Sequence, residues 1–160
     1  MTGLTLDTGA LIALEAGSRR MALRVKQAVA AGAELAIPAG VVAQAWRGGA
    51  RQARIAKLLQ LKVTSVVPLD AKLALRVGAT CASTGSTDVV DVSVALCARD
   101  RGHWVVTTDP ADIAKIDPAL TLIRPMLTST ALTGRSEIAE HGRLLGAGRR
   151  TVRTHGDRPG

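Results

Sequence analysis

A chain of 160 residues, 47% hydrophobic, can close one domain around a core, but only 1% of it is aromatic. With no Phe, no Tyr and only Trp46 and Trp104, that core must be aliphatic, and base stacking on an aromatic sheet is nearly out of reach. The net charge is +8, and no apolar run approaches the roughly 18 residues of a membrane span, which leaves a non-membrane protein with an affinity for polyanions.

Short apolar runs alternate with helical ones. Leu4-Thr5-Leu6 reads as a strand, followed by helices over Ala10–Glu15 and Arg19–Ala31. Glu34–Ile37 is a second strand, and Pro38 is placed to open a helix running to about Trp46. Ala50–Leu61 reads as the next helix, Thr64–Val67 as a third strand, and Pro68-Leu69-Asp70 leads into a helix ending near Ser83. Asp88–Arg101 is helical and stops at Gly102, Trp104–Thr107 is a fourth strand, Asp109–Ile116 a short helix and Leu120–Ile123 a fifth strand. Strands without polar alternation, separated by helices, imply an α/β fold: an open, parallel five-stranded sheet flanked by helices. The character changes near Thr128, where six Arg face three acids in a Gly-, Thr- and Ser-rich stretch. The expected division is a domain over 1–126 and a basic, disordered tail over 127–160, with one short helix available at Ser136–Leu145.

Charge is unevenly spread. Residues 19–76 hold eleven Lys and Arg against Glu34 and Asp70, whereas residues 81–117 hold six Asp against three cations. A basic half beside an acidic cluster suits a protein that attracts a polyanion and also holds a cation. Cys81 and Cys97 lack metal-ligand spacing and read as reduced core residues of a cytoplasmic protein. The N-terminus reaches Asp7 without a basic leader.

In an open parallel sheet, ligands bind outside the carboxyl ends of the strands. Asp7 ends the first strand and Asp109 follows the fourth; if the chain starts mid-sheet and reverses after strand three, the two are neighbours. Asp91 shares a helix face with Val94, Ala95 and Ala98, a small apolar surface suited to the sheet, and Asp88 lies one turn earlier. Carboxylates converging there without a nearby Lys or Arg repel one another, and a hard divalent cation such as Mg²⁺ or Mn²⁺ relieves that. Each acid alone also suits helix capping: Asp7 before Ala10, Asp88 before Asp91, and Asp109 before Pro110. Two of the three His lie in the tail, and neither a phosphate-binding glycine loop nor a nucleophile elbow is present.

Two segments, Leu6-Asp-Thr-Gly-Ala-Leu-Ile-Ala-Leu14 and Asp91-Val-Ser-Val-Ala-Leu-Cys-Ala-Arg-Asp-Arg-Gly102 followed by Val105-Val-Thr-Thr-Asp109, resemble the two halves of a PIN domain, closest to VapC-type ribonuclease toxins. The resemblance spans about residues 3–126. It implies metal-binding acids at Asp7, Asp91 and Asp109, with Thr107 as a supporting polar residue and Asp88 as an assisting carboxylate. It implies metal-assisted endoribonuclease hydrolysis of a structured RNA such as a tRNA or rRNA, neutralisation by a cognate antitoxin, and homodimer formation. One departure stands out: the family's usual Glu in the helix after strand two is Gln44 here, which removes a negative charge from the site. Arg47, Arg51 and Arg54 fall at helical spacing, with Lys57 a turn on, and are expected to contact the RNA backbone, although the same residues suit the solvated face of a helix whose Ile55, Leu58 and Leu59 are buried. The alternatives are a catalytically weakened PIN-like module that binds RNA or a partner, and a phospho-acceptor receiver. The receiver lacks its acidic pair and leaves Asp91 without a role.

Overall fold

A computed structural model describes residues 2–125; the expected tail and its helix at 136–145 lie outside them. The chain runs β1 (Leu4–Leu6), α1 (Thr8–Glu15), α2 (Arg19–Ala31), β2 (Leu35–Pro38), α3 (Ala39–Ala45), a 3-10 turn (Ala50–Gln52), α4 (Ala53–Leu59), β3 (Thr64–Val67), α5 (Ala71–Thr84), α6 (Val89–Arg101), β4 (Trp104–Val106), α7 (Pro110–Ile116) and β5 (Leu122–Ile123). The five strands form one parallel sheet in the order β3-β2-β1-β4-β5, so the chain does start mid-sheet and reverse after β3. Helices flank it, α6 packing on β1, β2 and β4.

The core is aliphatic, as the composition requires. Leu6, Leu11, Leu35, Ile37, Val94, Val105 and Ile113 are buried together, and α2 and α4 contribute Met21, Ile55 and Leu58. β1 and β2 are buried throughout, as expected of strands covered on both faces. β3 is not: it lies at the sheet edge and its Val66 is exposed. Cys97 is buried and Cys81 only half-buried; both thiols are free.

Four local expectations are corrected. Pro38 is the last residue of β2, paired with Val67, and precedes α3 rather than opening it. Its φ of −57° and ψ of 141° are extended backbone, which the fixed proline φ allows at a strand end. The single helix expected over Ala50–Leu61 is a 3-10 turn followed by the shorter α4. Arg47, Arg51 and Arg54 therefore do not form one helical stripe: α3 ends at Ala45, Arg47 lies in the turn beyond it, Arg51 in the 3-10 turn and Arg54 in α4. The break falls at Gly48 and Gly49, whose φ values of 76° and 88° leave the helical region. β5 is also shorter than the expected Leu120–Ile123, its pairing to β4 being confined to Leu122 and Ile123.

Candidate metal centre

The centre is built where β1 and β4 end side by side. Leu6 pairs with Val106, and the Asp7 N–H donates to the Val106 carbonyl at 3.1 Å, so Asp7 and Thr107 leave adjacent strands at the same edge. This is the carboxyl edge, where open parallel sheets hold ligands. His103, at the other end of β4, sits beside Thr5 and Glu34 and is remote from this edge.

Asp7 is 7% exposed and acts as the N-cap of α1: its Oδ1 accepts from the Ala10 N–H at 2.6 Å and its Oδ2 from the Thr108 N–H at 3.3 Å. Burial nevertheless pushes its carboxyl above the ordinary range, against hydrogen bonds from Thr107, Ala10 and Thr108, and the charge of Asp109 adds to the rise. Thr107, 1% exposed, is shared: beyond its bond to Asp7, its Oγ1 accepts from the Asp109 N–H at 2.9 Å. The close approach of the two loops depends on Gly9, where a Cβ would fall 1.9 Å from Thr108 Oγ1.

Asp88 caps α6, accepting from the Val90 and Asp91 N–H groups at 2.8 and 3.0 Å. Asp91 is half-buried one turn into α6 and receives no hydrogen bond or ion pair among the described residues. Burial, followed by the charges of Asp88, Asp7, Asp112 and Asp109, pushes its pKa up to about 6. Asp109 stands at the N-cap position of α7 before Pro110 but makes no side-chain cap bond, so the capping reading holds for Asp7 and Asp88 and fails for Asp109. Asp112, in the first turn of α7, joins this acidic field. The one cation at the site, Lys115, is engaged by Asp112 at 2.6 Å. A cleft of about 300 Å³ opens beside it, with Thr84, Ser86, Asp88, Asp91, Asp112 and Lys115 in its wall.

Asp7, Asp91 and Asp109 thus share one electrostatic field, with Asp88 and Asp112 beside them. Their oxygens are not drawn into a closed ligand set: among the described residues, no three His, Cys, Asp or Glu side chains cluster at chelating range. The donor set is all oxygen and negative, and both Asp7 and Asp91 are costly to ionise, which is the chemistry that a hard divalent cation with several retained waters relieves. Gln44 Oε1 accepts from the hydroxyl of Thr8, the residue after Asp7, at 2.6 Å.

Of the expected basic residues, Arg54 has a structural partner in the Glu15 carbonyl, to which its Nη1 donates at 2.6 Å, at the C-terminus of α1. Lys57 borders an apolar groove with Leu14, Val25, Leu58 and Leu61. Sequence reasoning missed Gln52, whose side chain organises the turn that carries Arg47. A glutamine three residues after the Gly48-Gly49 pair was the available signal.

The family model for the PIN domain matches residues 4–117. No curated protein matches the chain. Among solved structures the fold is similar to a toxin–antitoxin complex from Klebsiella pneumoniae, at 20% identity and a TM-score of 0.57 over 79% of this chain and 100% of that one. It is similar also to VapBC2 from Rickettsia felis bound to a fragment of its promoter DNA, at 17% identity and a TM-score of 0.56 over 78% and 98% of the two chains. FitAcB from Neisseria gonorrhoeae gives 16% identity and a TM-score of 0.50 over 76% and 97%. Likeness at these identities is likeness of fold.

Proposed function

The chain belongs to the PIN domain family, and from that premise we propose that it is a Mg²⁺- or Mn²⁺-dependent endoribonuclease, the toxin of a type II toxin–antitoxin pair. The observation that carries the reading is Asp91: a half-buried carboxyl held at a pKa of about 6 by burial and by four other carboxylates, with no side-chain cation on it. A protein tolerates such a group where a bound cation or a proton is meant to meet it.

In this reading Asp7, Asp91 and Asp109 hold the metal, with Asp88 assisting from the rim. When bound, the metal lowers the pKa of a water and offsets charge on the phosphate in the transition state. The protein's own part is orientation. Thr107 and the Thr108 N–H fix the Asp7 carboxylate, and Thr107 also fixes the backbone of Asp109. One of these carboxylates would orient the attacking water. Arg47, Arg51, Arg54 and Lys57 supply the RNA-backbone contacts from separate elements rather than one stripe, Arg54 with part of its guanidinium already committed to Glu15.

A cognate antitoxin and a homodimer belong to the same proposal, supported by the similar folds that come from toxin–antitoxin complexes. Among the described residues no helix is long and apolar enough to cross a membrane, and action in the cytoplasm, on a tRNA or rRNA, completes the reading. A second reading has one observation behind it. Gln44 brings no charge and its amide oxygen is occupied by Thr8, which suits a module that binds RNA while cleaving weakly.

The deciding experiment is cleavage of a structured RNA pool with Mg²⁺ or Mn²⁺ by the wild type, Asp7→Asn and Asp91→Asn. Cleavage lost in both folded variants supports the enzyme. RNA binding without cleavage by the wild type supports the second reading.

A further inference from the structure

We infer that the turn following α3 is a docking point for one unpaired nucleotide, its base stacked on the Trp46 indole and its phosphate held by Arg47, an inference that rests on the endoribonuclease reading for the identity of the strand. Trp46 is one of two tryptophans in a chain without Phe or Tyr, yet it is 40% exposed at the C-cap of α3. A core built only of aliphatic side chains leaves both indoles at the surface, Trp104 at the start of β4 being 43% exposed, and only Trp46 has an arginine next to it in the chain. The exposed residues around it in sequence, Gln44, Arg47 and Gly49, contribute no second large apolar side chain. It is a single platform rather than an apolar patch.

The turn is held in shape. Trp46 is followed by Gly48 and Gly49 with φ values of 76° and 88°, a pair that alone confers mobility. Gln52 removes that freedom: its Oε1 accepts from the Arg47 and Gly48 N–H groups at 2.5 and 2.8 Å, and its Nε2 donates to the Ala45 carbonyl at 2.7 Å. Arg47 is anchored in turn, its Nη1 donating to the Ala43 and Trp46 carbonyls at 3.1 and 2.8 Å. Its Nε and Nη2 keep no partner among the described residues and remain available to an anion. A preorganised ring beside a guanidinium with free N–H groups is the pairing that single-stranded nucleic acid uses, since every base has a face to stack and every residue a phosphate.

Position and charge favour RNA over a protein partner. Gln44, two residues before Trp46, is bonded to Thr8, the neighbour of Asp7, which ties the last turn of α3 to the start of α1. Between Glu34 and Asp70 the sequence holds no acid, and Arg47, Arg51, Arg54, Lys57 and Lys62 lie in that interval. A strand reaching the carboxylates passes a basic surface at this turn, and the indole fixes the register of one of its bases.

The test uses the full chain with Trp104→Phe, which leaves Trp46 as the only indole, titrated with a short oligouridylate in EDTA. Saturable quenching of Trp46 emission is expected. Retardation of an end-labelled oligouridylate, which needs no indole, reads the variants: in the same background Trp46→Ala should weaken binding about 10-fold, the loss of one stacked base, while Trp46→Phe retains most of the affinity. Arg47→Gln should weaken binding and lower the salt slope by about one ion. RNA binding with no quenching and an unchanged affinity in Trp46→Ala overturns the inference, as does quenching produced only by a protein partner. Metal-dependent cleavage measured alongside separates the two claims. Cleavage with an unchanged KM in Trp46→Ala sinks the docking point and leaves the nuclease. Quenching without cleavage sinks the nuclease and leaves the docking point. Failure of the wild type to bind RNA overturns both.

Discussion

The hydroxyl of Thr107 stands between two acids of the candidate centre, bonded to the Asp7 carboxylate and accepting the Asp109 N–H at 2.9 Å. One buried side chain thereby sets the orientation of one carboxylate and the backbone carrying another. Thr107→Val keeps the shape and removes both bonds. The Asp109 N–H then goes unpaired, at a cost of about 1–3 kcal/mol. The Thr107 bond lowers the pKa of Asp7, so its loss moves that pKa further up. The acid limb of the metal-dependent cleavage profile should shift to higher pH, and Thr107→Ser should restore it. A pH–rate profile of both variants is the check.

Asp91 carries a stability penalty. Its folded pKa of about 6 lies above the ordinary value of 3.8, so between those pH values the folded state holds more proton than the unfolded one. Stability therefore falls as pH rises through that window, and the penalty is fully present above about pH 6. A shift of this size is worth roughly 3 kcal/mol for a fully buried group, and solvent screening at the half-exposed Asp91 reduces it to about 1 kcal/mol. Without metal, Asp91→Asn should raise Tm by about 4 °C at neutral pH, and the gain should vanish below pH 4. Added Mg²⁺ should raise the Tm of the wild type and leave Asp91→Asn nearly unchanged. Thermal unfolding across pH and Mg²⁺ concentration reads both, and a wild type more stable than the variant at neutral pH without metal contradicts the account.

Gln44→Glu adds a charge beside Asp7 without losing the Thr8 partner, because a carboxylate also accepts from a hydroxyl. Cation affinity should rise about 10-fold, read as a lower Mg²⁺ concentration for half-maximal thermal stabilisation. The metal-free protein should become slightly less stable through added repulsion.

The basic residues should separate by phenotype. Arg54→Ala removes the donor to the Glu15 carbonyl and should lower Tm by a few degrees as well as weakening RNA binding. Lys57→Ala should weaken RNA binding with little effect on Tm. Calorimetry with a salt-dependent binding series distinguishes the two.

The strand order and the convergence of Asp7 and Asp109 on one edge were legible because apolar runs and helices alternate strictly, and such a pattern admits few topologies. Val94, Ala95 and Ala98 at helical spacing are buried as expected, but α6 is buried on all sides from Val92 to Ala98 and Asp91 is only half-buried, so periodicity alone does not fix where its carboxyl faces. Pro38 misled because its fixed φ serves both a strand end and a helix start. The arginine stripe misled because helical spacing continues on paper through Gly48 and Gly49, whereas the backbone there is left-handed. The part played by Gln52 depends on three bonds across a turn, a relationship that no periodicity encodes.

The 101-residue separation between Asp7 and the Thr108 amide it accepts from has a consequence for synthesis. A nascent chain emerging from the ribosome can pair β1 with β2 early, but nothing fixes the Asp7 carboxylate opposite its partners until β4 has been extruded and docked. Every truncated or stalled translation product ending before that strand is born without the centre, which arrives only with an almost finished domain.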